Sequence, residues 1–340
     1  MSAPGPNIYQ VLPQISGGAS DAVPGLLEKN DITIQNLAYP ATYWNPVLTA
    51  WQEGIVWATT TLTGGAWSLG TGLPVWADGA SYRVTARATD RATNAQTGSA
   101  VDFLIDRTTP TARITDFTAV NSTVAAASGQ VRSSLDSIIG TAWDVAGPGG
   151  GAGKLDKVLV HIKRPAQGLD LLRYWRWNSV PPAWDASEGE ENDIYWGTST
   201  IHVPGVTVSS WTHPVMPPPA AFTHGYSYIL RAKARDTSLP AGNTQQIFTL
   251  GESSFTFVWD SQAPAAAVTG FEDSDGNGRV NPAGALVITG SASDVPAGVS
   301  GVGNIKLQIG RLEGATTWYW TGLAWSETPS EFGPDAFTPP

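Results

Sequence analysis

The segment YRVTARATD at residues 82–90 returns as YILRAKARD at residues 228–236. In both copies Tyr, aliphatic residues and Ala alternate with Arg, Lys, Thr or Ile, so one side of the segment is consistently apolar. Side chains of a β-strand point alternately to opposite faces, and this pattern therefore predicts a half-buried strand. Each copy is followed by a polar loop, a second alternating segment ending in Asp106 or Asp260, and a proline four residues later. The chain repeats a unit built from strands.

Other segments recur in the same order. ISGGASD, IIGTAWD and ITGSASD, at residues 15–21, 138–144 and 288–294, each precede a Gly- or Pro-rich loop and an alternating strand. An aromatic segment follows each time, starting with YWN at residue 43, YWRWN at residue 174 and WYWTGLAW at residue 318. Apolar alternation interrupted by turn residues predicts hairpins. We expect three copies of one unit, over residues 1–107, 108–261 and 262–340, the second with an insertion rich in acid and proline.

The composition suits short strands joined by turns. Charged residues make up 14% of the chain, and 37 Gly and 25 Pro leave few windows that could form a helix. A formal net charge of −10 without a basic stripe argues against a nucleic-acid partner. The absence of Cys excludes disulfides and thiolate metal sites. No apolar run approaches the roughly 18 residues of a membrane helix, so we expect no membrane insertion.

This series of motifs resembles the tandem bacterial immunoglobulin-like repeats, or Big-type domains, of large secreted and cell-surface proteins, over nearly the whole chain. The resemblance implies an all-β fold of tandem immunoglobulin-like β-sandwiches. It also implies an extracellular or cell-surface location in a bacterium. The third copy has 15 residues after Trp325 and lacks the last two segments of the other copies. We therefore expect the last sandwich to be incomplete in this sequence.

One loop, DSDGNGRVN at residues 273–281, has the spacing of a calcium site. Hard oxygen ligands at alternate residues suit Ca²⁺, and the loop resembles those of dockerins and other EF-hand-like repeats. It departs from them at Gly284, where a bidentate Glu is expected, so a turn without metal is the alternative. A bound ion would stiffen the joint between the second and third copies. The candidate ligands are Asp273, Asp275, Asn277, the backbone carbonyl of Arg279, and Asn281.

The 15 tryptophans have two interpretations. Rings that recur in every copy are expected to pack in the cores of the sandwiches. Trp76, Trp177 and Trp196 lack counterparts in every copy. These three are therefore the candidates for contact with a ligand, such as a glycan, or with another subunit.

No arrangement of residues indicates an enzyme. The four His residues have no paired spacing, and there is no GxSxG motif, no phosphate-binding glycine loop and no nucleophile beside a base. Five aspartates recur at equivalent places of the repeats, and we assign them to turns because Asp side chains accept hydrogen bonds from nearby backbone N–H groups. They are Asp21, Asp90, Asp144, Asp236 and Asp294.

Together these features favour a non-enzymatic extracellular structural protein, a component of a fibre, sheath, surface layer or stalk. In one form of this hypothesis the chain polymerises head to tail, and a strand of a neighbouring subunit completes the open third copy. The alternative is that the sequence is a segment of a longer protein whose adjacent domains are its partners. Two further hypotheses are an adhesin or carbohydrate-binding region that uses loop Trp residues, and an accessory segment of a larger secreted enzyme.

Overall fold

A computed structural model describes residues 7–23, 25–38, 42–117, 129–164, 173–177, 181–185, 193–271, 288–294, 302, 304–321 and 323–331. These residues form β-strands joined by turns, and their only helical segments are two short 3-10 turns, Asp193–Tyr195 and Pro219–Ala221. No helix of this part of the chain is long and apolar enough to cross a membrane. The prediction of an all-β fold is confirmed.

Twenty-seven strands make up the described fold. The strands from residue 7 to residue 105 are β1 (Asn7–Tyr9), β2 (Ile15–Gly18), β3 (Leu27–Asn36), β4 (Thr42–Asn45), β5 (Ala50–Glu53), β6 (Ala58–Thr59), β7 (Thr61–Thr63), β8 (Ala66–Leu69), β9 (Ser81–Asp90), β10 (Ala95–Thr97) and β11 (Val101–Ile105). The next are β12 (Thr111–Asp116), β13 (Gln130–Arg132), β14 (Ile138–Trp143), β15 (Leu155–Lys163), β16 (Tyr174–Arg176), β17 (Ala183–Asp185), β18 (Gly197–Thr198), β19 (Thr200–Ile201), β20 (Val208–His213), β21 (Ser227–Asp236) and β22 (Ser254–Trp259). The last are β23 (Ala265–Phe271), β24 (Ile288–Ser293), β25 (Gly310–Glu313), β26 (Thr316–Trp320) and β27 (Trp325–Ser326).

The first copy is a sandwich of two sheets. The larger sheet has the strand order β1-β11-β9-β3-β4-β5, with β10 beside β9 and β6 beside β3, and the smaller has the order β2-β8-β7. Their shared core contains Ile32 and Ile34 of β3, Tyr82 of β9, Ile15 of β2 and Trp67 of β8. The repeated segment at residues 82–90 lies within β9, with its apolar side in this core, as the alternation predicts.

The second copy has the same plan. Its smaller sheet has the order β12-β14-β20-β19, and its larger sheet contains β22-β21-β15-β16-β17 with β18 beside β15. Strand β15 contacts β14 and β20 of the smaller sheet. In β21 the side chains of Leu230, Ala232 and Ala234 are each 0% exposed. The fold is therefore one of tandem β-sandwiches.

The repeated strands begin with a tyrosine whose hydroxyl group has a backbone partner. The Tyr82 hydroxyl accepts a hydrogen bond from the Ala77 N–H at 2.9 Å, and the Tyr228 hydroxyl accepts one from the Thr223 N–H at 2.7 Å. The ring packs in the sandwich while the hydroxyl group ties down the preceding loop. This explains why both copies of the segment start with Tyr.

The aromatic segments form hairpins in all three copies, and in each hairpin two tryptophans face each other across the strand pair. The ring centroids are 5.5 Å apart for Trp44 and Trp51, 5.4 Å for Trp175 and Trp184, and 5.4 Å for Trp320 and Trp325. The first member of each pair is buried. The interpretation of the recurring rings as packing residues is confirmed for Trp44 and Trp175, whereas in the third copy the buried ring is Trp320.

The described chain divides into two compact units. The first comprises Met1–Ser128, Ser134–Pro217 and Ile229–Thr256, and the second comprises Gly129–Ser133, Pro218–Tyr228 and Phe257–Pro340. The first unit therefore contains the first copy and most of the second. The predicted domain boundaries follow the repeats rather than this division, and they stay a prediction.

Within the second unit, Gln130 of β13 pairs in parallel with Phe257 of β22, β23 pairs with β24, and β25-β26-β27 form a three-stranded sheet. Residues 305–309, predicted to be part of a strand, belong to none of the strands. In the first two copies the equivalent strands, β3 and β15, pair with β9 and β21. The Ile309 carbonyl accepts a hydrogen bond from the Trp320 N–H at 2.9 Å, but no counterpart of β9 lies in the described part of the third copy. Residues 305–309 therefore lack the long antiparallel partner that β3 and β15 have.

Candidate metal centre

The predicted calcium loop lies outside the part of the chain that the structure describes. Asp273, Asp275, Asn277, Arg279 and Asn281 all lie outside the described residues. That site therefore stays a prediction.

A different group of acidic residues meets inside the first unit. Asp106 follows β11, Asp144 follows β14, and Asp236 is the last residue of β21. All three are buried, with exposed fractions of 0%, 6% and 1% respectively. One carboxylate oxygen from each lies within 4.8 Å of the other two. Residues that are far apart in sequence thus form one compact cluster because their strands end at the same place.

Gly153 lies against the three carboxylates. A β-carbon at this residue would clash with the Oδ2 atom of Asp106. It would lie 2.5 Å from Oδ2 of Asp144 and 3.2 Å from Oδ2 of Asp236. The same oxygen of each aspartate therefore borders one small volume, which the absence of a side chain at Gly153 keeps open.

Hydrogen bonds fix two of the carboxylates. Oδ1 of Asp106 accepts from the Thr108 hydroxyl at 2.6 Å, and Oδ2 accepts from the Ser238 hydroxyl at 2.7 Å. Oδ1 of Asp236 accepts from the backbone N–H groups of Ser238 and Asn243, at 2.8 and 2.7 Å. Oδ2 of Asp236 accepts from Nδ2 of Asn243 at 2.8 Å. The loop after β21 therefore holds both side chains in place.

Asp144 is the carboxylate with the fewest partners. Its Oδ1 atom accepts a hydrogen bond from the Val145 N–H at 2.9 Å, whereas its buried Oδ2 atom has no partner among the described residues. Burial, together with the charges of Asp106 and Asp236, raises the pKa of Asp144 to about 7, against the opposing effect of the Val145 and Gly153 N–H groups. Burial also raises the pKa of Asp236. Among the described residues, no positive charge pairs with the cluster to compensate its three carboxylates.

Asp31 shows how the same unit stabilises a buried carboxylate elsewhere. It is 2% exposed, and its Oδ2 atom lies 3.1 Å from Nζ of Lys29 and 3.2 Å from a guanidinium nitrogen of Arg87. Burial raises its pKa, but hydrogen bonds from Thr59, Lys29 and Arg87 outweigh this and lower it overall. No described Lys or Arg lies within ion-pair distance of Asp106, Asp144 or Asp236.

The residues of the cluster fit a divalent cation. Adjacent buried carboxylates repel one another, and they persist in the charged state only when a cation or a proton compensates them. All ligand atoms on offer are oxygens, which suit Ca²⁺ and Mg²⁺ rather than zinc. Ca²⁺ takes roughly six to eight oxygens in irregular arrangements, to which carboxylates, backbone carbonyls and water contribute. The unpartnered Oδ2 atom of Asp144 is the place in the cluster where a cation or a proton would compensate the charge.

The cluster lies where the first and second copies meet. The Asp106 N–H donates to the Tyr9 carbonyl at 2.9 Å. Leu239, in the loop after β21, donates its N–H to the Ile8 carbonyl at 2.8 Å and accepts from the Gln10 N–H at 2.8 Å. The first strand of one copy is thus bonded to a loop of the next, directly beside the carboxylates.

A glycine-rich loop of the second copy forms another backbone contact with the first copy. The Gly149 N–H donates to the Asp78 carbonyl at 2.9 Å, and the Gly151 N–H donates to the Gly79 carbonyl at 2.8 Å. A β-carbon at Gly79, whose φ is +73°, would lie 2.7 Å from the Gly147 carbonyl carbon. Backbone packs directly on backbone here, and only glycine permits this approach.

The prediction that recurring aspartates serve turns is confirmed for three of them. Oδ1 of Asp90 accepts from the Asn94 N–H at 2.8 Å, and Asp144 and Asp236 accept the backbone bonds described above. Sequence reasoning missed that two of these residues also meet Asp106. The available signal was that all three aspartates stand at the ends of predicted strands, where strands of one sandwich can converge.

Two of the candidate surface tryptophans are interior residues, which corrects the prediction. Trp76 is 7% exposed, contacts Phe103 with ring centroids 5.3 Å apart, and donates from Nε1 to the Leu12 carbonyl at 3.0 Å. Trp196 is 3% exposed and stacks on His161 at 4.9 Å. The Nζ atom of Lys233 lies 4.1 Å from the Trp196 ring centroid. Each ring fills space that the adjoining strands would otherwise leave open, so neither presents a face to a ligand.

Trp177 is half-buried, and its ring lies edge-on to His213 with centroids 4.4 Å apart. A contact with a ligand or subunit at Trp177 stays a prediction.

Solved structures that are similar to the chain include two that contain repeated modules. Fibronectin(III)-like modules of CbhA from Clostridium thermocellum match with a TM-score of 0.32 and 11% identity, over 76% of this chain and 92% of that chain. A tetra-tandem repeat in the extending region of a large adhesion protein matches with a TM-score of 0.27 and 17% identity, over 95% of this chain and 70% of that chain. No protein-family model and no curated protein match the sequence.

Proposed function

We propose that the chain is a non-enzymatic structural repeat segment of a bacterial extracellular or cell-surface protein. In this proposal Ca²⁺ held by Asp106, Asp144 and Asp236 stiffens the joint between consecutive β-sandwiches. The observation that carries it is the buried carboxylate cluster, whose members come from two adjacent repeats.

The position of the cluster supports a structural role for the ion. Asp106 belongs to the first copy, whereas Asp144 and Asp236 belong to the second. An ion bound by all three couples the two sandwiches, and its binding free energy then stabilises one relative orientation of the repeats. Extracellular modules commonly bind Ca²⁺ with dissociation constants of about 10⁻⁴–10⁻³ M, which suits an external location where calcium is abundant.

A stiffened row of sandwiches suits a fibre, sheath, surface layer or stalk. The adhesin alternative depended on exposed tryptophans, and the burial of Trp76 and Trp196 leaves Trp177 as its remaining candidate. A second calcium site, in the loop that begins at Asp273, is a separate proposal.

The test is thermal unfolding of the metal-free protein during titration with CaCl₂. We expect Ca²⁺ to raise the Tm of the wild type and of the control variant Asp102→Asn, whose carboxylate is exposed and pairs with Arg83. The Asp144→Asn variant is expected to lose most of this response. A response that persists in Asp144→Asn but disappears in Asp273→Ala would assign the effect to the loop and contradict the proposed centre.

A further inference from the structure

The loops that precede β9 and β21 bond in the same way to the strands that follow them in the repeat, β11 and β22. In the first copy the Gly79 N–H donates to the Ile105 carbonyl at 2.8 Å. In the second copy the Gly225 N–H donates to the Trp259 carbonyl at 2.7 Å. Both glycines have a positive φ, +73° and +78°. The residues directly before them, 78 and 224, therefore occupy equivalent places.

The segments that leave β11 and β22 are also arranged alike. Oδ1 of Asp106 accepts a hydrogen bond from the Thr108 N–H at 3.2 Å. Oδ1 of Asp260 accepts one from the Gln262 N–H at 3.0 Å. The two copies thus end in the same backbone conformation, with the same turn beside the same loop.

One acceptor in this arrangement differs between the copies. Oδ1 of Asp78 accepts the Arg107 N–H at 2.7 Å, whereas at the equivalent place Nδ1 of His224 accepts the Ser261 N–H at 3.2 Å. A carboxyl oxygen keeps lone pairs for accepting with or without a proton, but an imidazole nitrogen accepts only while it carries no proton. The bond that Ser261 makes therefore depends on the protonation of His224.

A carboxylate stands ready to take the proton of a charged His224. Its Nδ1 atom lies 3.2 Å from Oδ1 of Asp260, and the two side chains are 14% and 9% exposed. The Asp260 N–H donates to the carbonyl of Arg132 in the adjacent β13, and the Arg132 guanidinium donates to Gln130. Tyr226 is the titratable residue that follows on the loop of His224 itself. A protonated Nδ1 would form a charge-assisted hydrogen bond with Asp260.

We propose that His224 is a pH-sensitive switch on the segment that leads into β23, residues 261–264. Without a proton, Nδ1 of His224 holds the Ser261 N–H; with a proton, the same atom donates to Asp260 and releases Ser261. Imidazole is the side chain that ordinarily changes charge between pH 5 and 8. Residues 261–264 are exposed, so the segment can move without uncovering the core. The first copy has Asp78 at this place and lacks the switch.

The test is amide hydrogen exchange of the full chain in EGTA at pH 7.5 and 5.5, corrected for intrinsic exchange rates and resolved to single residues by electron-transfer fragmentation. We expect the protection of the Ser261 amide to fall about fivefold at the lower pH, the factor for one ordinary hydrogen bond. The Thr223 amide, which donates to the Tyr228 hydroxyl, is the internal control and should keep its protection.

The matched variant is His224→Asp, which gives the second copy the acceptor of the first. We expect its Ser261 amide to stay equally protected at both pH values. NMR of the protein labelled with ¹⁵N-histidine provides a second measurement, because the chain has four His and the variant identifies the signals of His224 by their loss. Nδ1 of His224 should be unprotonated at pH 7.5 and protonated at pH 5.5.

Three results would overturn the proposal. The first is a protection of Ser261 that does not change with pH in the wild type or changes equally in His224→Asp. The second is a proton on Nδ1 at pH 7.5, since this atom could then not accept from Ser261. The third is an equal loss of protection at Thr223, which would mean that acid loosens the whole loop.

Discussion

Gly17 lies directly opposite Trp67 in the antiparallel pair of β2 and β8, and the indole ring occupies the space that a β-carbon of residue 17 would need. At the next residue, Gly18, a β-carbon would meet only the Gly65 carbonyl oxygen, at 3.9 Å. Neither glycine has a positive φ. Two adjacent glycines thus differ in packing alone.

This difference predicts opposite outcomes for the same substitution. Gly17→Ala forces the indole ring to move and should lower the free energy of unfolding by about 1–3 kcal/mol. Gly18→Ala should leave it unchanged or raise it by up to about 1 kcal/mol, because Ala restricts the unfolded chain. Urea unfolding of both variants checks this, and similar losses in the two would contradict the packing role of Gly17.

Asp144→Asn should have effects of opposite sign in the absence and presence of calcium. In EDTA at pH 8 the variant removes one of three repelling buried charges, and we expect its Tm to exceed that of the wild type. In millimolar CaCl₂ the wild type gains stability that the variant lacks, so the order should reverse. Differential scanning calorimetry in both buffers checks whether the order of the two Tm values reverses. A variant less stable than wild type in EDTA would show that the carboxylates do not repel appreciably.

Gly153→Ala should impair the centre without changing any ligand. Its methyl group would clash with Oδ2 of Asp106 and crowd Oδ2 of Asp144, and would displace a cation bound between them. We expect the calcium dissociation constant from isothermal titration calorimetry to rise at least tenfold. The control is Gly18→Ala, because residue 18 is far from the cluster in sequence and the nearest atom to its β-carbon would lie 3.9 Å away. An unchanged affinity would place the cation away from the Oδ2 atoms.

His161 should make the protein sensitive to acid. It is 0% exposed and neither ring nitrogen has a partner in the described part of the chain. Burial first, and then the charges of Lys163, Arg231 and Lys233, lower its pKa to about 3. An unfolded histidine titrates near pH 6.5, so below this pH the unfolded chain binds a proton that the folded chain does not. Stability should fall as the pH decreases from about 6.5 to 3.

The expected loss from this residue at pH 5 is about 2 kcal/mol relative to pH 7. His161→Leu should flatten the pH dependence of the free energy of unfolding between pH 7 and pH 5. The control variant is His202→Gln, which removes an imidazole at an exposed residue. A profile unaffected by His161→Leu would mean that the buried ring is protonated in the folded protein.

The strands could be predicted because the alternation of apolar and polar residues that marks them lies within a few neighbouring positions. Alternation within a few residues is sufficient to assign β9 and β21, and the paired tryptophans of the aromatic segments mark the three hairpins. Residues 305–309 show the limit of this signal. Their alternation is as regular as that of β3, but within the described residues they lack the long antiparallel neighbour that β9 provides for β3.

The carboxylate cluster was not predictable in the same way. Asp106 and Asp236 are 130 positions apart in the sequence, and their proximity follows from how β11 and β21 end within the fold. The burial of Trp76 and Trp196 is likewise set by side chains of other strands. The absence of a repeat counterpart identified these rings as unusual, but it carried no information about their exposure.

The parallel pairing of β1 with β11, in which Asn7 faces Phe103, has a mechanical consequence. These are the first and last described strands of the first copy, so tension applied at the two ends of this strand set pulls them in opposite directions along their length. The hydrogen bonds between them are then loaded together in shear and cannot open one at a time. Strands β13 and β22 are also paired in parallel. A chain assembled from such repeats would resist stretching until a whole strand pair ruptures.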